Sequence, residues 1–96
     1  MKTFTLALDK DRIKVSGIEI IIPGYEEYRF ILHRNITMGN IEGDVFTISE
    51  VTTGRNVGGY TDSDVIHLMD NVETKLKQIG KKKVKKVFNS YEILNP

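Results

Sequence analysis

The apolar residues of this chain change their repeat once, near Thr61, and that change limits the folds open to it. Before Thr61 they alternate. Phe4, Leu6 and Leu8 interleave with Thr3, Thr5 and Ala7, a period of two that suits a half-buried strand. Ile13 to Ile22 is again β-rich, with Ser16-Gly17 as a turn or bulge and Ile18, Ile20 and Ile22 on one side. Pro23-Gly24 stops it. Tyr28, Phe30 and Leu32 form one face of a third strand, with Arg29, Ile31 and His33 on the other. Phe46 and Ile48 oppose Thr47 and Ser49 on a fourth. Asp9-Lys10-Asp11 is predicted as a turn and Thr37 to Asp44, with Gly39-Asn40 and Gly43, as a polar loop. Thr52-Thr53-Gly54-Arg55 predicts a tight hairpin leading to a short strand near Asn56 to Tyr60.

Beyond Thr61 the spacing is helical. Val65, Leu68, Met69, Val72, Leu76 and Ile79 lie three or four apart, predicting a helix over 61–79. Thr61 or Asp62 is placed to cap it, Asp62 and Asp64 fall in its first turn, and Gly80 suits a left-handed C-cap. Val84, Val87, Phe88, Tyr91 and Leu94 repeat in the same way, predicting a shorter helix over about 82–93. The expected architecture is one α+β domain over residues 1–96. An antiparallel sheet of four or five strands carries the first helix on one face and the terminal helix at an edge. The other sheet face is expected to stay open, presenting Ile21, Arg29, Ile31, His33, Thr47 and Ser49 to a partner.

Charge divides the chain at nearly the same place. Residues 1–74 hold seven basic and twelve acidic side chains, net −5, and residues 75–96 hold seven lysines and one acid, net +6. The seven are Lys75, Lys77, Lys81, Lys82, Lys83, Lys85 and Lys86. On a helix, Lys82, Lys85 and Lys86 point away from the Val84, Phe88 and Tyr91 stripe as a basic ridge. Such a ridge either keeps a surface solvated or meets phosphates without regard to sequence. It holds no arginine, the side chain that most often reads bases.

Chemistry elsewhere is sparse. The chain has no cysteine, which removes disulfides and thiolate catalysis or metal binding. Its two histidines, His33 and His67, show no ligand spacing toward carboxylates such as Glu50 or Asp70, so no metal or cofactor is expected. Gly54, Gly58 and Gly59 precede a helix that opens with acids, unlike a phosphate-binding loop. Glu26-Glu27 and Asp62-Ser63-Asp64 suit a turn and a helix cap. The opening Met-Lys-Thr-Phe-Thr-Leu-Ala-Leu is like the start of a signal peptide, but its apolar stretch ends at Asp9. No segment approaches the roughly 18 apolar residues of a membrane span. The expected address is the cytoplasm.

A strand hairpin followed by a helix resembles double-stranded RNA-binding domains and the three-stranded DNA-binding domains of some integrases. In the RNA-binding family lysines open the second helix, whereas Asp62-Ser63-Asp64 stands here. The strand pattern of Tyr28, Phe30 and His33 resembles small uncharacterised proteins of bacteriophages and integrative elements from Gram-positive bacteria. So do the Phe46, Thr47, Ser49 and Glu50 strand ending in Thr53-Gly54, and the helix start at Thr61 and Asp64. The resemblance covers about residues 18–79 and implies a mobile-element setting. Taken together, the expectation is a small non-enzymatic protein that contacts another protein, or a second copy of itself as a dimer, through the open sheet face. Nucleic-acid binding through the lysines ranks second. A small hydrolase or metal enzyme using His33 or His67 is a distant third.

Overall fold

A computed structural model describes residues 2–7, 11–37 and 40–96. The expected turn at Asp9-Lys10 and the position of Leu8 and Gly39 lie outside them. Five strands and two helices follow in order: β1 (Lys2–Ala7), β2 (Arg12–Ile20), β3 (Phe30–Thr37), β4 (Asn40–Glu50), β5 (Arg55–Asn56), α1 (Val65–Ile79) and α2 (Lys81–Asn89). The strands form one antiparallel sheet in sequence order, so the protein is α+β as its change of period requires.

Both faces of the central strands are buried. Phe30 and Ile48 face the helices and share a core with Ile22, Tyr25, Leu68, Val72, Leu76 and Val84. Each fully buried aliphatic or aromatic side chain there contributes about 1.5–3 kcal/mol. Ile31, one residue along β3, points the other way and packs on Phe4 and Val51. The sheet curls to make this second core. Gly17 lies at the bend of β2, where a side chain would collide with the Leu32 carbonyl at 2.5 Å. Up to Gly17 the strand pairs with β1, and from Ile18 it pairs with β3.

The curl carries β1 to the turn that follows β4. Ala7 N–H donates to the Gly54 carbonyl at 2.9 Å. Gly54 has φ +68°, and a Cβ there would stand 2.6 Å from the Thr5 carbonyl. Asn95 completes the junction. Its Oδ1 accepts from Thr5 N–H (2.9 Å), and its Nδ2 donates to the Thr5 carbonyl (2.8 Å) and the Val51 carbonyl (2.6 Å). The backbone amides of Leu94 and Asn95 both donate to the Thr52 carbonyl. Glu50, itself buried, accepts from the amides of Thr52 and Thr53 and so shapes the same turn.

Several boundaries depart from the expected ones for local reasons. β3 begins at Phe30, because Tyr28 sits in the preceding turn, stacked on Tyr25 and edge-on to Phe88. The expected loop over 37–44 is largely strand, with Thr37 paired to Asn40 and Ile36 to Ile41. β5 is only Arg55–Asn56, the chain turning at Gly58 and Gly59. α1 starts at Val65, since Asp62 is tied to Phe46 by two backbone hydrogen bonds and Asp64 becomes the N-cap, accepting from Ile66 and His67. Gly80 has φ 86° and ψ 148°, outside the left-handed helical region expected of it. It turns the chain directly into α2. That helix ends at Asn89, so Tyr91 and Leu94 belong to the terminal segment, with the Arg55 guanidinium 4.5 Å over the Tyr91 ring. α2 is not at the sheet edge alone: its Val84 is part of the main core.

Asn95→Ala removes three hydrogen bonds worth about 1 kcal/mol each, so urea midpoints should fall by the equivalent of about 2–3 kcal/mol. Hydrogen exchange at Thr5 should accelerate with it. Gly54→Ala should cost at least as much, roughly 1–3 kcal/mol from backbone strain alone before the collision with β1. An unchanged midpoint in either variant would mean that β1 does not depend on this junction.

Candidate functional site

The face expected to meet a partner is interior. Ile31, Ser49, His33 and Thr47 are all between 0% and 4% exposed. Alternation places these side chains together on one face, as the sequence indicates, but β1 lies over them. Only Ile21, 72% exposed, and Arg29 remain at the surface. Arg29 is engaged, its guanidinium 2.7 Å from Glu19 and 5.6 Å from the Phe4 ring centre. A glycine within a β-rich run was the sequence signal for the bend that covers the face.

Inside this second core His33 meets Ser49. His33 Nδ1 lies 2.8 Å from the Arg34 carbonyl and Nε2 lies 2.8 Å from Ser49 Oγ. A carbonyl oxygen can only accept, so in the neutral ring Nδ1 carries the proton and Nε2 accepts from the serine hydroxyl. Burial pushes the imidazole below its ordinary value near 6.5, opposed by the bond to Arg34. A hydroxyl on an imidazole nitrogen is the geometry of a nucleophile and its base. The free space beside this pair is about 40 Å³, bounded by Leu6, Ala7 and Gly54. That volume suits water and excludes an acyl substrate.

The two histidines are not brought together. His67 is exposed at the start of α1, its Nδ1 2.6 Å from Asp62 Oδ2. The amide of Asp64 and then His67 hold the Asp62 carboxyl below its usual range. Glu50 is occupied by the turn amides, and Glu26 accepts from Gly24 N–H, a turn role. Among the described residues no three His, Cys, Asp or Glu side chains gather as a metal site. No helix is long and apolar enough to cross a membrane.

The lysines separate into two groups. Lys75 is half-buried on α1, and Lys77 is paired with Glu73 at 2.9 Å. Lys81, Lys82, Lys83, Lys85 and Lys86 are exposed on α2 and make no ion pair among the described residues. Five of the nine residues of α2 are therefore cations without an ion pair among the described residues, Lys81 alone lying close enough to Glu26 to help hold its carboxyl below the usual range. Val84 and Phe88 pin the helix to the core from its opposite side. Lys81 Nζ lies 5.7 Å over the Tyr25 ring, which draws it toward the α1 end. Lys82, Lys83, Lys86 and Val87 line a shallow hollow of about 670 Å³ that opens to solvent beside Ile79 and Gly80. Val87 belongs to the apolar stripe by spacing, yet it lies in this hollow and not in the core.

The chain matches no family model, no curated protein and no solved structure. Function must therefore be read from the geometry of these groups.

The buried imidazole has a consequence for stability. His33 resists protonation in the folded state, so below its ordinary value near 6.5 the unfolded chain binds more protons. Stability falls as pH drops through that value. Urea midpoints taken from about pH 7.5 to about pH 5.5 should fall by the equivalent of up to about 1 kcal/mol, and His33→Gln should flatten the slope. An equal slope in wild type and variant would place the titration elsewhere.

Proposed function

We propose that the protein is a non-enzymatic nucleic-acid-binding protein that takes backbone phosphates on the lysine face of α2, without reading sequence. The observation that carries this reading is the run of five exposed lysines on one short helix, none in an ion pair among the described residues. Their placement is costly to the fold. Lys81 and Lys85, and Lys82 and Lys86, are like charges at i,i+4, each pair destabilising by about 0.2–0.5 kcal/mol. Three of the five crowd the first turn, where the helix dipole already disfavours cations and Gly80 offers no side-chain cap. A polyanion relieves both repulsions at once. A merely solvated helix would place acids among these lysines, as α1 does at Glu73 and Lys77.

The protein-contact alternative is weakened, because four of the six side chains on which it rests are interior. The mobile-element setting stays part of the proposal on the strength of the strand resemblance alone. The absence of arginine from α2 supports phosphate contact over base reading.

Titration of labelled random-sequence duplex DNA and of RNA in increasing salt tests the proposal. With three or four lysines on phosphates, log K should fall with log salt at a slope of about −3. Changing Lys82, Lys83, Lys85 and Lys86 to Gln should abolish binding while leaving the urea midpoint unchanged or raised. Absence of binding at low salt in the wild type would sink the reading.

A further inference from the structure

Where β2 parts from β3 the sheet splits and leaves a cleft. Pairing of the two strands ends at Ile18 and Leu32, because β2 bends at Gly17 and leaves with β1, whereas β3 runs on to Thr37 beside β4. Ile18 lies opposite Leu32 and Arg34 opposite Phe46, so these four side chains share the face that carries the helices. Lys14 and Ser16 lie on the same side of β2, since Val15 between them is buried opposite Phe4 in the interior. Ile18 is 56% exposed and Leu32 and Phe46 are half-buried, so neither helix seals this part of the face.

The cleft holds about 510 Å³, within the roughly 300–1,000 Å³ of small-molecule sites. Leu32 and Phe46 form its floor, Ile18 its wall, and Lys14, Ser16 and Arg34 its polar rim. Neither Lys14 nor Arg34 has an ion-pair partner among the described residues. No Asp or Glu is among the described residues that line the cleft. Ser16 Oγ makes a long contact, 3.4 Å to Thr3 Oγ1.

We propose that this cleft binds a small molecule with an apolar body and one carboxylate head, of the class of medium-chain fatty acids. The body lies on Leu32, Phe46 and Ile18, and the head meets Lys14 and Arg34 at the rim. A guanidinium fork takes a carboxylate through two parallel hydrogen bonds, and the ammonium adds a second positive charge. Two cations with no acid between them favour an anion over a neutral ligand, and the apolar floor stays wet under an anion that lacks a body. Both parts of the ligand thus follow from the two parts of the site. The hollow beside α2 lies on one helix and its junction and opens broadly to solvent, whereas here two diverging strands flank the floor. This site is independent of the nucleic-acid reading and goes beyond it.

The probe is decanoate, kept below its micelle-forming concentration. Calorimetric titration into the full chain reads its affinity, and amide shifts of the isotope-labelled chain read its place. Saturable binding is expected, with shifts centred on Ile18, Leu32 and Arg34. Lys14→Gln with Arg34→Gln, both exposed positions, should weaken it about tenfold or more. Decanol, which keeps the body without the charge, should bind the wild type about tenfold more weakly, and acetate, which keeps the charge without the body, more weakly still. No saturable binding of decanoate would overturn the proposal. Equal affinity for decanol or for acetate would do the same, since one half of the site would then be idle. So would shifts centred on α2 with binding lost on changing Lys82 and Lys86 to Gln, because the ligand would then sit in the other hollow.

Discussion

Closure of β1 onto the turn after β4 is the constraint on which the rest of the structure depends. A strand paired on one side only by β2 would leave Phe4 and Leu6 in water. The junction at Gly54 and Asn95 seats Phe4 against Ile31 and Val51 instead and buries Leu6. Asn95 does this by imitation of a strand: one side-chain amide offers Thr5 both a donor and an acceptor, as a neighbouring residue in a ladder would. It reaches that place only because α1 and α2 have already returned the chain to the sheet. The last residues are thus part of the fold's closure, and the second core and the helical core are coupled through the C-terminal segment.

The helices divide two tasks. α1 is the packing element, its stripe of Leu68, Val72 and Leu76 fully buried and its Lys77 paired with Glu73 one turn away. α2 is held by fewer contacts, chiefly Val84 in the core and the Phe88 ring edge-on to Tyr28. The bend at Gly80 turns it so that five lysines face outward, none in an ion pair among the described residues. Electrostatic repulsion on so short a helix is tolerable because its anchor is hydrophobic and lies on the opposite side. That separation of anchor from charge is what makes the face available to a ligand.

How much of the site was legible differs by residue. The lysine face was readable from spacing, since period 3.6 puts Val84 and Phe88 on one side whatever the surroundings. The parity of His33, Thr47 and Ser49 was readable too. Their exposure was not, because alternation tells which residues share a face and is silent on whether another strand lies over it. The His33–Ser49 pair could not be anticipated for the same reason: the two residues are 16 positions apart and meet only through the register of β3 and β4.

The sequence by itself determined the α+β class, the order of strands before helices, the apolar stripe of α1, the existence of α2 and the basic character of the C-terminal region. These follow from local periodicity and charge, which act within a few residues. Tertiary structure alone decided that neither face of the central strands stays open, where α1 begins, what Asn95 bonds and which lysines form ion pairs. Each of these depends on contacts between residues distant in the chain. The bend at Gly17 sets the first of them, because a Cβ there would stand 2.5 Å from the Leu32 carbonyl, and only a residue without a side chain lets β2 turn at that point.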